Sequence, residues 1–62
     1  MIDLYNLMNI VNPSTYVNLV DADTGELIME GETDELKYWD YDENKVMDIN
    51  VYNNILTICI ER

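Results

Sequence analysis

The sequence predicts an α+β domain with the element order α-β-β-α-β-β, and three observations carry that expectation. Apolar residues recur at helical spacing near the start. They alternate with polar residues in two later pairs of segments. Turn-forming residues stand where each pair must reverse. The chain has 62 residues, so residues 1–62 are expected to form one small domain. Four strands and two helices of this length predict a four-stranded, mainly antiparallel sheet with both helices on one face, which gives a single core.

Residues 3–11 read as a short helix. Asp3 is its expected N-cap, and Leu4, Leu7, Met8 and Val11 fall three and four apart to form one apolar stripe. Asn12-Pro13-Ser14 ends it, because proline disfavours helical geometry at the residue before it. Thr15–Val20 alternates as a strand with Val17 and Leu19 inward. Asp21–Gly25 reads as a turn with Gly25 at a positive-φ position. Glu26–Glu30 is the returning strand, with Leu27 and Met29 inward and Leu19 opposite Leu27. Gly31 breaks that strand, and Thr33 is the expected cap of a second helix from Asp34 to about Trp39. Leu36 and Trp39 would be its buried side, and Asp40–Asn44 an acidic loop. Asn53-Asn54 suits a two-residue primed turn. Closure there pairs Tyr52 with Ile55, Val51 with Leu56, Ile49 with Ile58 and Met47 with Ile60.

Charge narrows the function. Thirteen acids stand against Lys37, Lys45 and Arg62, for a net charge of −10. Such a field repels nucleic acid and anionic membranes and attracts basic protein surfaces. The apolar share of 48 % is too high for a disordered acidic tail. The opening Met1-Ile2-Asp3-Leu4 shows no secretory pattern, and no apolar run approaches membrane-spanning length, so a cytoplasmic location is expected.

Catalysis is not expected. The chain has no histidine, and Cys59 therefore lacks the usual activating base. Paired carboxylates such as Asp34 and Glu35 would need a cleft that separates their proton affinities; a small metal-dependent enzyme built on them is the weakest reading. Asp21-Ala22-Asp23-Thr24-Gly25 resembles the start of a calcium loop, with Glu32 at the spacing of a bidentate ligand. Glycine stands one position early, however, and the following residues alternate as a strand. No cofactor or metal is expected.

Two surfaces stand out as binding candidates. Ten of the thirteen acids lie between Asp21 and Glu43. Asp21, Asp23, Asp34, Glu35, Asp40, Asp42 and Glu43, with Tyr38 and Tyr41 among them, would form an acidic rim for a basic partner. Solubility alone is the competing explanation of that charge. The sheet face away from the helices would carry Tyr16, Ile28, Tyr52, Ile55 and Cys59, a candidate homo-oligomer interface. Ile55–Ile60 is a charge-free run that would invite strand pairing if it lay at an edge.

The opening Asp3-Leu4-Tyr5-Asn6-Leu7-Met8, the hairpin around Asp23-Thr24-Gly25-Glu26 and the closing Ile49-Asn50-Val51-Tyr52-Asn53-Asn54-Ile55 resemble short acidic proteins of bacteriophages and mobile elements. Some proteins of that type are anti-CRISPR inhibitors, several acting as DNA mimics against basic channels of Cas effectors. The likeness is one of size, style and charge, and it assigns no role to any residue. It implies a non-enzymatic inhibitor of a basic nucleic-acid-binding protein, such as a Cas effector, in a bacterial cytoplasm. The alternative is a small assembly protein that forms a homo-oligomer through its sheet.

Overall fold

A computed structural model describes residues 2–62. Two β-hairpins lie side by side and are joined through their inner strands. The first hairpin is β1 (Tyr16–Asp21) with β2 (Leu27–Glu32), and the second is β3 (Val46–Tyr52) with β4 (Ile55–Ile60). The resulting four-stranded sheet has the order β2-β1-β4-β3. Each hairpin is antiparallel, but β1 and β4 run parallel at the centre. The sheet is therefore mixed. Antiparallel pairing within each hairpin is legible locally. The parallel contact between hairpins is set by the long crossover that connects them, and that choice is not local.

One short helix, α1 (Leu4–Met8), packs on the sheet. Asp3 caps it as expected, its Oδ1 accepting from the Asn6 N–H at 2.9 Å. The helix stops at Met8, before the expected residue 11. The Ile10 N–H donates to the Leu7 carbonyl at 3.0 Å, a tight closing turn, and Pro13 follows.

The expected second helix, Asp34–Trp39, does not form. Glu32–Glu35 closes a turn instead, with the Glu35 N–H on the Glu32 carbonyl at 2.9 Å. A three-residue 3₁₀ helix, η1 (Trp39–Tyr41), follows further on. Thr33 does not act as a cap. Its hydroxyl and its N–H both donate to the Thr15 carbonyl, at 2.8 and 2.9 Å, which ties the start of the crossover to the start of β1. A six-residue helix would gain too few internal hydrogen bonds to offset its nucleation cost. Without helical spacing, Leu36 and Trp39 part company: Leu36 is buried and Trp39 is 64 % exposed.

The core lies between one sheet face and the layer formed by α1 and the crossover. Leu4, Leu7, Met8 and Leu36 meet Val17, Leu19, Val46, Ile58 and Ile60, all buried. Two β-bulges correct the expected registers. In β2, Leu19 faces Met29 and Val20 faces Leu27, so Ile28 is the extra residue. The bulge leaves Leu27 exposed and turns Ile28 onto the core. In β3, Val46 faces Ile60 and Asp48 faces Cys59, which makes Met47 the extra residue. Val46 enters the core in the place expected for Met47. The remaining pairs of the second hairpin stand as predicted, from Tyr52 with Ile55 to Ile49 with Ile58. Asn53 and Asn54 both take left-handed φ values, 52° and 63°, as a primed turn requires.

Candidate functional site: an acidic crossover with an exposed tryptophan

The crossover from β2 to β3 holds the acids, and backbone hydrogen bonds pin it at both ends. At the β2 end, the Asp34 N–H donates to the Pro13 carbonyl at 3.2 Å, alongside the Thr33 contacts. At the β3 end, the Leu4 N–H donates to the Asn44 carbonyl and the Tyr5 N–H to the Asp42 carbonyl, each at 2.8 Å. The Asn44 side-chain amide donates to the Glu61 carbonyl at 2.7 Å. These contacts hold both ends of the acidic segment in place.

The predicted rim divides into exposed residues and residues held in the fold. Asp23, Asp34, Glu35, Asp40 and Glu43 are exposed. Asp21 is not: it is 8 % exposed and its Oδ1 accepts from the N–H groups of Asp23, at 2.8 Å, and Thr24, at 3.4 Å. Its Oδ2 lies 3.7 Å from the Arg62 guanidinium. Asp21 therefore builds the hairpin turn and leaves the rim. Asp42 is half-buried beside α1. Tyr38 and Tyr41, expected among the rim residues, pack half-buried against the core, and the Arg62 guanidinium sits 5.8 Å from the centre of the Tyr41 ring. Trp39 takes the exposed place instead, its ring 5.0 Å from that of Tyr38 at 61°.

Glu30 and Glu32, neither in the predicted rim, extend the acidic surface along β2. The carboxylates of Glu32, Asp34 and Glu35 lie within 4.8 Å of one another, and all three residues are exposed. Among the described residues the Asp21–Arg62 contact is the single ion pair, so no ion pair offsets this cluster. Alternation would have revealed Glu32: it stands two residues from Glu30 and two from Asp34, on a strand that runs out into a turn. Three monodentate donors fall well short of the six to eight oxygens that calcium takes, and the cluster is not assigned as a metal centre. In the calcium-like segment, the Asp21 carboxylate is engaged by the turn, and Leu27–Glu32 is strand.

Beside the cluster lies a cavity of about 330 Å³. Met8, Val11 and Pro13 supply its apolar lining, Tyr38 and Trp39 its aromatic lining, and Asn9, Thr33 and Asp34 its polar lining. Sequence reasoning missed this site because it placed Trp39 under a helix.

The residues of the second sheet face lie outside the core cluster, which gathers α1 and the crossover on the other face. Cross-strand registers arrange it in rows: Tyr16, Ile55 and Tyr52; Asn18, Thr57 and Asn50; Val20, Cys59 and Asp48. Four of the five predicted interface residues, Tyr16, Tyr52, Ile55 and Cys59, share this face, and Ile28 does not. Among the described residues, the Asn18 Oδ1 is shielded from solvent with no hydrogen-bond partner. The apolar run Ile55–Ile60 is an inner strand, paired on both sides, and the edges of the sheet are β2 and β3.

No protein-family model, curated protein or solved structure matches the chain. No helix among the described residues is long and apolar enough to cross a membrane.

Proposed function

We propose that the chain is a non-enzymatic decoy that binds and inhibits a basic nucleic-acid-binding protein, a Cas effector being the specific candidate. The observation that carries this reading is the uncompensated cluster of Glu32, Asp34 and Glu35 beside an exposed tryptophan. Like charges held this close oppose folding, and solubility does not require them to be adjacent. A basic groove would relieve that repulsion, as it does for the phosphates of nucleic acid, and the attraction would weaken as salt rises. Trp39, Asp40 and Glu43 continue the surface along the pinned crossover.

Charge reversal tests this reading. Glu32→Lys, Asp34→Lys and Glu35→Lys together change only exposed side chains and should leave the fold intact. Affinity for a basic partner captured from the host should fall at least about tenfold, or ~1.4 kcal/mol. A folded triple variant that binds like the wild type would refute the decoy.

The edge of β3 favours a second reading, the homo-oligomer. Its first residues are covered, since the Val46 N–H donates to the Ile2 carbonyl at 2.9 Å and Asp3 bridges to Lys45. From Asp48 to Tyr52 the edge is open. In a hairpin closed by a two-residue turn, the pair flanking the turn is hydrogen-bonded and pairs alternate from there. Ile49 and Val51 thus direct their own N–H and C=O groups away from β4. A second copy paired antiparallel about Asn50 would place Ile49 opposite Val51 in both directions, and Asp48 opposite Tyr52. No acids would face each other. The opposite edge, β2, carries Glu30 and Glu32 and is guarded against such pairing.

A further inference from the structure

We infer that the cavity beside Trp39 is a receptor for a single arginine side chain of the partner. The inference rests on the reading of the chain as a binder of basic protein surfaces, and it names the group that the binding centres on.

The volume admits one long side chain. The cavity, about 330 Å³, sits at the bottom of the ~300–1,000 Å³ range of small-molecule sites. Its walls match the two halves of an arginine. Met8, Val11 and Pro13 offer apolar surface to the aliphatic stem. Trp39 and Tyr38 present ring surfaces, tryptophan being the best cation–π acceptor and guanidinium the commoner cation. Asp34 is one of the lining residues, and Glu32 and Glu35 lie within 4.8 Å of it, so the field at the opening is strongly negative. A planar guanidinium can stack on an indole while its edge donates two parallel hydrogen bonds to a carboxylate. A lysine ammonium can do only one of these well at a time, and it holds its water more tightly.

The exposure of Trp39 is the independent sign of use. A residue of this size left 64 % exposed forgoes much of the burial that a 62-residue chain needs. Tryptophan and arginine are also the residues most enriched at binding hot spots, where they pair across interfaces. The pinned crossover holds the indole beside the carboxylates before any ligand arrives.

Two probes of equal charge separate this site from general acidity: blocked hexa-arginine and blocked hexalysine peptides, titrated calorimetrically into the folded protein. Wild type should bind hexa-arginine about fivefold more tightly than hexalysine, because guanidinium can stack on the indole and pair with a carboxylate at once. Trp39→Ala leaves the net charge unchanged and should bring the two affinities within about twofold, chiefly by weakening hexa-arginine. Asp34→Asn should also reduce the preference. Glu26→Gln, an exposed charge at the other end of β2, should weaken both peptides alike and keep it. Circular dichroism checks that each variant is folded. Equal binding of both peptides by wild type, or an unchanged preference in Trp39→Ala, overturns the arginine receptor and leaves the acidic decoy standing. Failure of both peptides to bind overturns the two together.

Discussion

Asp21 and Asp34 carry the same side chain into opposite surroundings. The Asp21 carboxylate is buried at the hairpin turn, accepts from two backbone N–H groups and faces Arg62. Asp34 is exposed beside two other carboxylates. Replacing Asp21 with alanine leaves those N–H groups without their acceptor and should lower stability by about 1–3 kcal/mol, a large part of the ~3–5 kcal/mol that a core this small supplies. Asp34→Asn should change stability by less than about 0.5 kcal/mol. Urea unfolding of the two variants measures both, and equal effects would refute this division of the acidic residues. The sequence alone could not make the division. Both residues sit in polar segments, and only the hairpin geometry shows that the first bends back on its own turn. Trp39 was obscured for a related reason. Its spacing from Leu36 suits one helical face, and the face exists only if the helix does.

At the scale of elements, the outcome depends on how local the determining signal is. The cap at Asp3, the positive φ of Gly25, at 76°, and the Asn53-Asn54 turn are each fixed by one or two residues and their chemistry. They were legible. The two bulges were not, because period-two alternation has no way to mark an extra residue. Ile28 and Met47 are apolar like their neighbours, and only packing decides which of them turns inward. Parallel pairing of β1 with β4 is longer-range still and leaves no mark in either strand. The open edge of β3 makes a prediction at this scale. Val51 is 71 % exposed, so Val51→Lys should fold normally while placing a charge in the proposed pairing seam. If β3 pairs with its copy, sedimentation should show wild type as a dimer at hundreds of micromolar and Val51→Lys as a monomer, with the usual disruption by an edge lysine. A wild-type monomer at that concentration would remove the homo-oligomer reading.

For the whole molecule the governing quantity is charge over size. Ten net negative charges occupy a body of 26 × 21 × 18 Å with 4189 Å² of accessible surface. At about 10 mM salt the Debye length is ~30 Å, longer than the molecule, and every carboxylate feels every other; at about 1 M it is ~3 Å and only neighbours interact. The repulsion acts on the compact state more than on the expanded unfolded chain, because unfolding moves the charges apart. Added sodium chloride should therefore stabilise the fold. Binding to a basic partner should respond with the opposite sign, since salt screens the attraction and weakens the gain from counterion release. The pair of responses discriminates between explanations. An acidic surface that serves solubility alone predicts the first response without the second. A partner held through the second sheet face, which carries one acid among its rows, predicts binding that salt changes far less. For the decoy, raising salt from about 10 mM to about 500 mM should raise the melting temperature by several degrees, at about 4–8 °C per kcal/mol for a domain of this size. Over the same range, affinity for the basic partner should fall by at least about tenfold. Melting curves and binding isotherms taken in the same buffers measure both, and a partner affinity that holds steady while the melting temperature climbs would assign the charge to solubility.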